Sequence, residues 1–590
     1  MSAAPAAGVS GTVAMGGGAT GGINEQTGVF QMALPLVSLP GRGSAGAELA
    51  LSYDQNAAAS GADRFSLGQG IGLGKAFVDP DDGGTLHTPG GGSFRIDARD
   101  TTGPGLKRYL LKDMSLREQP GTLAQRAGLE DTPRDYRWVL SYGDGRKSYF
   151  SGQGDLVAEQ DAFGNQTAYV WQQLGGQHRL EKMTDTWGQA VTFDYSTENQ
   201  VTVTSPERSD GKQPEIVLHL SEGRLEFVTY PHNQVTKLAY GYTPQGMPGR
   251  LLTRAEAPAG AVTRIGYTHP HGFPVTSSVK VTDADGRSLT PERTFTLDVQ
   301  GENAGHDYTG HGQYATADDL FDSADPDYRY TTELSDGRSA VRSTYNSLHL
   351  LKERTASLKL GDEMQPLQTQ ELHYEGERNN GQTPPASSAL PPNYARPTRA
   401  TLTVHDPATG KQRTTTETAR FDDHGREVER TDVTGATTVT EYDSAAVDDT
   451  SARENGEPAG FGLVLKQTTT GADGAQTITE NTLSGDHRSL AATKQSVKNK
   501  AGEEPSARTV TTYKVNGHGE ITGKTVTWAA GAKPEETEGP DQLTETYGST
   551  ADTTAHTRTD TVTSPAGVTS QVTDLVTGQV VKTTDAEGRT

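Results

Sequence analysis

The chain of 590 residues carries 53 Lys and Arg against 76 Asp and Glu, a formal net charge of −23, which excludes the basic footprint that nucleic-acid binding requires. Hydrophobic residues make up 32% and aromatics 6%, beside 69 Gly and 30 Pro, so a single large close-packed core is excluded and a thin, extended or hollow sheet wetted by solvent is expected. With 0 Cys, disulfides, thiolate metal sites and thiol nucleophiles are excluded as well.

Residues 1–22 are rich in Gly and Ala and lack both the basic start and the apolar run of a Sec signal. They read as a flexible tail. No stretch approaches the roughly 20 apolar residues that a membrane-spanning helix needs. Any export would run by a non-Sec route, and the expectation is cytoplasmic residence or secretion by that route. From Gly28 to Leu36 and again from Glu48 to Tyr53, apolar and small or polar residues alternate around a Gly-rich turn. Period-two patterning bounded by Gly and Pro is the signal of a strand. It recurs at Phe94-Arg95-Ile96, from Tyr136 to Leu140 and from Val191 to Tyr195. The one helical candidate is a short stretch over residues 123–129.

A repeat then emerges. Asp161-Ala-Phe-Gly164 is followed by Tyr169 and Trp171, and Asp185-Thr-Trp-Gly188 by Phe193 and Tyr195. Bulky residues thus stand five and seven positions beyond the Gly. The same register holds for Asn233 with Leu238 and Tyr240, for Gly260 with Ile265 and Tyr267, and for Asp432 and Gly435 with Tyr442. Asp at the first and Gly at the fourth position fit a type I turn, with the carboxylate capping nearby amides and the Gly at positive φ. Asn233 replaces Gly because Asn tolerates the left-handed region. Each unit is then a β-hairpin with one buried stripe, and many hairpins side by side form a continuous ribbon. These are structural positions: packing explains the constant register of the aromatics better than sugar stacking does.

Residues 302–396 break the rhythm with an acidic run at 318–327 and a Pro-rich connector at 384–397. From Ala400 onward the chain is Thr-rich with degenerate repeat signals, ending in Asp585-Ala-Glu-Gly588. Because that last unit has a turn but no return strand, Thr590 is expected not to be a natural terminus. The divisions are a tail at 1–22, an N-terminal β region at 23–150, repeat hairpins at 151–300, a divergent insertion at 301–397 and degenerate repeats from 398 to 590.

The pattern G-x6-D-x-x-G-x4-Y-x-Y, running from Gly154 to Trp171 and echoed from Leu180 to Tyr195 and from Arg426 to Tyr442, resembles the Rhs or YD-repeat family. The opening from Ile23 to Leu36, with Leu49 to Tyr53 and Phe65 to Gly72, is similar to the start of bacterial Rhs-type proteins and of the shell subunits of insecticidal toxin complexes. The resemblance implies an all-β hollow shell of stacked antiparallel hairpins in a large spiralling sheet. It further implies enclosure of a C-terminal toxin segment, interbacterial or insecticidal, and partnership with a secretion apparatus or toxin-complex subunit. The family's cleavage element, D-P-x-G-x-x-x-G, is absent: Asp79-Pro80, Asp325-Pro326 and Asp406-Pro407 have the wrong Gly spacing. Toxin and self-cleaving chemistry are expected downstream of residue 590.

Other chemistry is weakly signalled. His269-Pro270-His271 lacks a third ligand, the 318–327 run lacks the spacing of a calcium loop, and Asp283-Ala-Asp285-Gly286 is a repeat turn. No catalytic residue, cofactor or metal is assigned, for want of any nucleophile–base signature. The rival readings are a cell-surface carbohydrate-binding or adhesion ribbon and, behind it, an enzyme acting on polysaccharide.

Overall fold

The computed structural model describes residues 12–16, 19–43, 45–89, 92–100, 104–123, 135–174, 176–269, 274–300, 329–375, 390–443, 462–500, 503–504, 506–528 and 542–590. The fold is all-β, built on one antiparallel sheet of 32 strands that run in sequence order from Met114–Thr122 to Val580–Thr584. The first strand pairs with Asp135–Tyr142 and the last with Gly567–Asp574, and no ladder joins the two ends. The sheet is open. A sheet of this width cannot stay flat, because each strand pair adds its own twist.

Its curvature brings distant turns together. Lys112 Nζ lies 2.8 Å from Asp423 Oδ2, 311 residues away. Asn165 Nδ2 donates to His518 O at 3.0 Å, 353 residues away. The Ser209 amide donates to Asp574 Oδ2 at 2.7 Å, 365 residues away. These pairs advance along the chain in the same order, so the ribbon coils, and turns on the rim of a first coil abut turns on the rim of a second.

The core belongs to the first coil. A five-stranded sheet comprising Thr12–Gly16, Ala19–Ile23, Phe30–Arg42, Ala45–Asp54 and Ile71–Gly72 packs against it. Leu34, Leu51 and Leu67 from this N-terminal segment share one buried cluster with Leu218, Leu225 and Leu252 of the large sheet. Gln55, fully buried, links the two layers. Its Oε1 accepts from the Phe30 amide at 2.7 Å and from Thr276 Oγ1 at 3.0 Å, while its Nε2 donates to Pro274 O at 2.6 Å. A buried amide with its hydrogen-bonding groups so engaged costs little to bury and fixes one register between the layers.

Three expectations are corrected. Residues 12–16 and 19–23 are strands in place of a flexible tail, since Thr20, Gly21 and Gly22 pair with Ala33, Met32 and Gln31 and prolong that sheet. The divisions at 150 and 301 are not breaks. The large sheet already starts at Met114, and Arg329–Ser335, Ser339–Tyr345, Leu351–Leu360 and Glu363–Tyr374 continue it strand by strand. A helix missed in the sequence spans Gln55–Ser60. Asp54 Oδ1 caps the amides of Asn56 and Ala57, and Gly61 ends it at φ 72, so the cap residues were its signal. The helical candidate at 123–129 lies, apart from Leu123, outside the described residues, as do the acidic run at 318–327 and His271. Among the described residues, no helix is long and apolar enough to cross a membrane.

The stacked aromatics have a polar duty as well. Where a bulky residue late in a strand enters the ladder, the partner strand bulges, as between Tyr149/Phe150 and Ala158/Leu156 or between Ala239/Tyr240 and Arg254/Leu252. A bulge withdraws a backbone group from the ladder. The next unit's aromatic supplies the donor: Trp171 Nε1 to Leu156 O at 2.7 Å, Tyr267 OH to Leu252 O at 2.7 Å, Tyr442 OH to Glu427 O at 3.0 Å. Tyr374 OH does the same for Leu351 O at 2.8 Å. Tyr240 makes no such bond, and its hydroxyl is buried without a partner. Tyr267→Phe is therefore expected to strand the Leu252 carbonyl at a cost of about 1–3 kcal/mol. Hydrogen exchange of the Leu251–Glu256 amides should quicken about tenfold or more, whereas Tyr240→Phe should leave its own hairpin unchanged or slower.

Candidate functional site

The repeat turns form as the spacing predicts. In the first, the Asp161 amide donates to Asn165 O and the Gly164 amide returns to Asp161 O, both at 3.0 Å, with Gly164 at φ 81. Asp161 Oδ1 accepts from the amides of Phe163 and Asn165 at 2.9 Å each. Asp185 and Gly188 repeat the arrangement, as do Asp432 and Gly435. Gly260 closes a similar turn on Ala257. The Asn233 unit differs: it makes a short 3₁₀ turn over Pro231–Asn233, with His232 at φ 64 and Asn233 at φ 58. Further turns of the same bonding start at Ser151, Asn346, Gly471 and Asn516. Sequence reading missed them because their first residue is not Asp. The fourth residue, Gly or in one case His349, was the remaining signal.

Along the five-and-seven stripe the fifth position is buried in the first coil and the seventh half-buried throughout. Tyr169, Phe193, Leu238 and Ile265 are fully covered, while Trp171, Tyr195, Tyr240, Tyr267 and Tyr442 are partly so. Tyr267 stacks on Tyr242, which is not one of the repeat positions, with ring centroids 5.3 Å apart. Trp171 instead meets Phe65 of the N-terminal segment at 5.7 Å, so the stripe chiefly serves the layer beneath it.

In the second coil that layer is missing among the described residues. Beyond residue 400 the fully covered hydrophobics are Ala419, Ile478, Leu575 and Val576. The two faces still differ. Along Lys411–Phe421, Thr415, Glu417 and Ala419 are better covered than Thr414, Thr416 and Thr418, and Ser506–Val515 and Gln542–Asp552 alternate likewise. Ladder register carries that covered face back through Leu402, Gln370, Arg354 and Ser343 to Thr332. Thr332 Oγ1 donates to Glu25 O at 2.6 Å and Arg354 pairs with Glu25 at 2.8 Å. The covered face is thus the one on which the N-terminal segment lies, the concave side where side chains converge. In the second coil it presents Arg430, Thr438, Thr469 and Thr477 in one row. An Arg430–Glu417 ion pair at 2.9 Å neutralises part of it. The same register also puts Tyr513, Val526, Trp528, Leu543, Tyr547 and Val562 on it, so the face mixes short polar side chains with aliphatic and aromatic ones.

The seam between coils is the other constructed feature. Asn165 Nδ2 bonds both Asp161 Oδ2 at 2.8 Å and His518 O, which leaves Asn165 Oδ1 facing His518 Nδ1 at 3.0 Å. Asp574 has its carboxyl held down at about 2: burial alone would raise it, but bonds from Ser209, Thr577 and Val576 outweigh that. Asp185 goes the other way. Its Oδ1 takes the amides of Trp187 and Gln189 at 2.8 Å, its Oδ2 is buried without a partner, and burial pushes it up to about 6. Among the described residues no group of three or more His, Asp or Glu could hold a metal ion. A small surface cavity of about 300 Å³ is lined by Phe227, Lys237, Arg254 and Glu256, and its charges pair among themselves, Glu256 with both Lys237 and Arg254.

No family model and no curated protein sequence matches the chain. Among solved structures, a crystal structure of TcdB2-TccC3-TEV aligns with 90% of this chain at 10% identity and a TM-score of 0.30. The Photorhabdus luminescens Tc holotoxin pore with a TccC3 mutation aligns with 89% at 11% identity and a TM-score of 0.23. A crystal structure of TcdB2-TccC3-Cdc42 aligns with 93% at 10% identity and a TM-score of 0.19. The chain spans 27%, 37% and 43% of those chains.

The seam yields a test with an internal control. A Cβ on Gly519, at φ 80, would sit 2.4 Å from the Phe163 ring, whereas one on Gly435, at φ 82, would meet nothing within 4 Å. Gly519→Ala and Gly435→Ala share the backbone penalty of about 1–2 kcal/mol, but only the first should open the seam. Exchange at residues 161–165 is expected to rise in Gly519→Ala alone.

Proposed function

We propose that this chain is a section of the wall of a β-shell that encloses a toxic polypeptide and helps deliver it. The observation that supports this most is the ribbon's geometry: the sheet coils back on itself and is sealed rim to rim. An enclosed chain must be held without being gripped, and the Thr, Gln and Ser richness of the later strands suits that task. In this reading the wall is not an enzyme. Any toxic or self-cleaving chemistry belongs to the enclosed segment, the wall meets a secretion apparatus or toxin-complex subunit, and it waits in the cytoplasm or leaves by a non-Sec route. Acidic surface charge keeps the wide sheet soluble.

The test is protease challenge of the gene product isolated from its own host. Enclosure predicts a co-purifying polypeptide that survives protease at a dose that digests it once denaturant has released it. If nothing is protected, or the bound polypeptide is cut as fast as the free one, enclosure is wrong. Saturable binding on a glycan panel would then favour a recognition ribbon.

A further inference from the structure

The Asp161 and Asp185 turns differ in one respect that gives the seam a moving part. In the Asp161 turn, the residue after the turn glycine is Asn165, whose short side chain reaches back to Asp161 Oδ2 at 2.8 Å. In the Asp185 turn the same position is Gln189. Its side chain points away instead, with Oε1 3.3 Å from Nδ1 of His556 in the second coil. Asp185 Oδ2 is consequently left buried and bare. Two ligands therefore compete for one amide: the imidazole across the seam and the carboxylate beneath it.

We propose that Gln189 is a pH-set latch, engaging His556 of the second coil in acid and turning back onto Asp185 Oδ2 when that carboxylate ionises, which loosens the seam locally. A neutral carboxyl tolerates the bare position, whereas a buried carboxylate demands a donor. Asn165 shows the carboxylate-bound arrangement, its Nδ2 on Asp161 Oδ2 while its Oδ1 stays on His518 Nδ1. Gln189, one methylene longer, contacts the imidazole and leaves Asp185 Oδ2 bare. The raised carboxyl of Asp185, at about 6, sets the direction. A folded-state value above the ordinary 3.8 means that its contribution to stability is fully present below about 3.8 and is lost as pH rises through about 6.

The charged groups around the latch come from three elements. Arg42, at the tip of the N-terminal hairpin, lies over the Trp187 ring at 4.1 Å, and its backbone amide donates to Thr186 Oγ1 at 2.6 Å. Arg558 approaches the same ring from the second coil at 5.9 Å, and His556 stands beside it in sequence. Both guanidiniums keep their charge throughout, so they move the midpoint without reversing the direction. The neighbouring link through Asp574 is already ionised well below the working range, so it stays closed when the latch opens.

Hydrogen exchange on the full chain, corrected for intrinsic rates, is measured from pH 5 to 7.5. Protection of residues 186–189 and 554–557 should fall about tenfold or more with a midpoint near 6, while residues 161–165 and 516–519 hold theirs. In Asp185→Asn, which keeps the Oδ1 acceptor, protection should stay high across the range. In Gln189→Leu it should be low at both ends. Protection that does not change with pH, or an unchanged pH response in Asp185→Asn, would overturn the latch. Because the wild-type profile and its midpoint are read without any substitution, a variant that fails to fold leaves the inference still open to refutation. The latch stands or falls independently of what the wall encloses.

Discussion

Everything in this molecule hangs on a carboxylate, or its substitute, that gathers two amides at a turn while the fourth residue takes a positive φ. That turn reverses the chain within five residues and sets the register of the strands that follow. It also presents a compact, nearly identical knob at the rim of the ribbon. Knobs of the first coil meet knobs of the second, so the unit that makes the hairpin also makes the seam. A different turn chemistry would give hairpins without a rim able to stack.

The second constraint is the supply of hydrogen bonds. Curving a wide sheet requires bulges, and each bulge frees a carbonyl that must find a donor. Trp171, Tyr267, Tyr374 and Tyr442 provide it from the next unit, and Asn481 Nδ2 does so for Val464 O at 2.8 Å. The repeat therefore favours an aromatic with a polar hydrogen, and Phe cannot stand in for it there without loss. Apolar burial is concentrated in the first coil, where the N-terminal segment supplies the second layer. The later strands rest on ladder bonds and cross-strand pairs such as Thr403 with Thr414 at 3.0 Å and Thr525 with Thr544 at 3.1 Å, each worth roughly 0.2–1 kcal/mol.

Much of this was legible in the sequence because the turn and the stripe are local. Asp161, Gly164, Asp185, Gly188, Asp432 and Gly435 occupy the positions that their spacing assigned. What escaped was non-local or used unfamiliar residues. Nothing near Gln189 or His556 in sequence announces a partner 367 residues away. The strands from Arg329 to Tyr374 looked like an insertion because their turns use Asp336 and Asn346 with irregular spacing, although their ladders are unbroken. The N-terminal Gly and Ala read as slack chain. Those in Thr12–Gly16 and Ala19–Ile23 are strand, because small side chains suffice where the ladder does the holding.

The strands after Pro397 are one layer thick, and this bears on how much surface a gene can make. A residue in a sheet covers about 3.3 Å along the strand by 4.8 Å across it, roughly 16 Å² of wall. Layering a second sheet would halve the area gained per codon. A ribbon that needs no second layer spends sequence on area rather than on thickness.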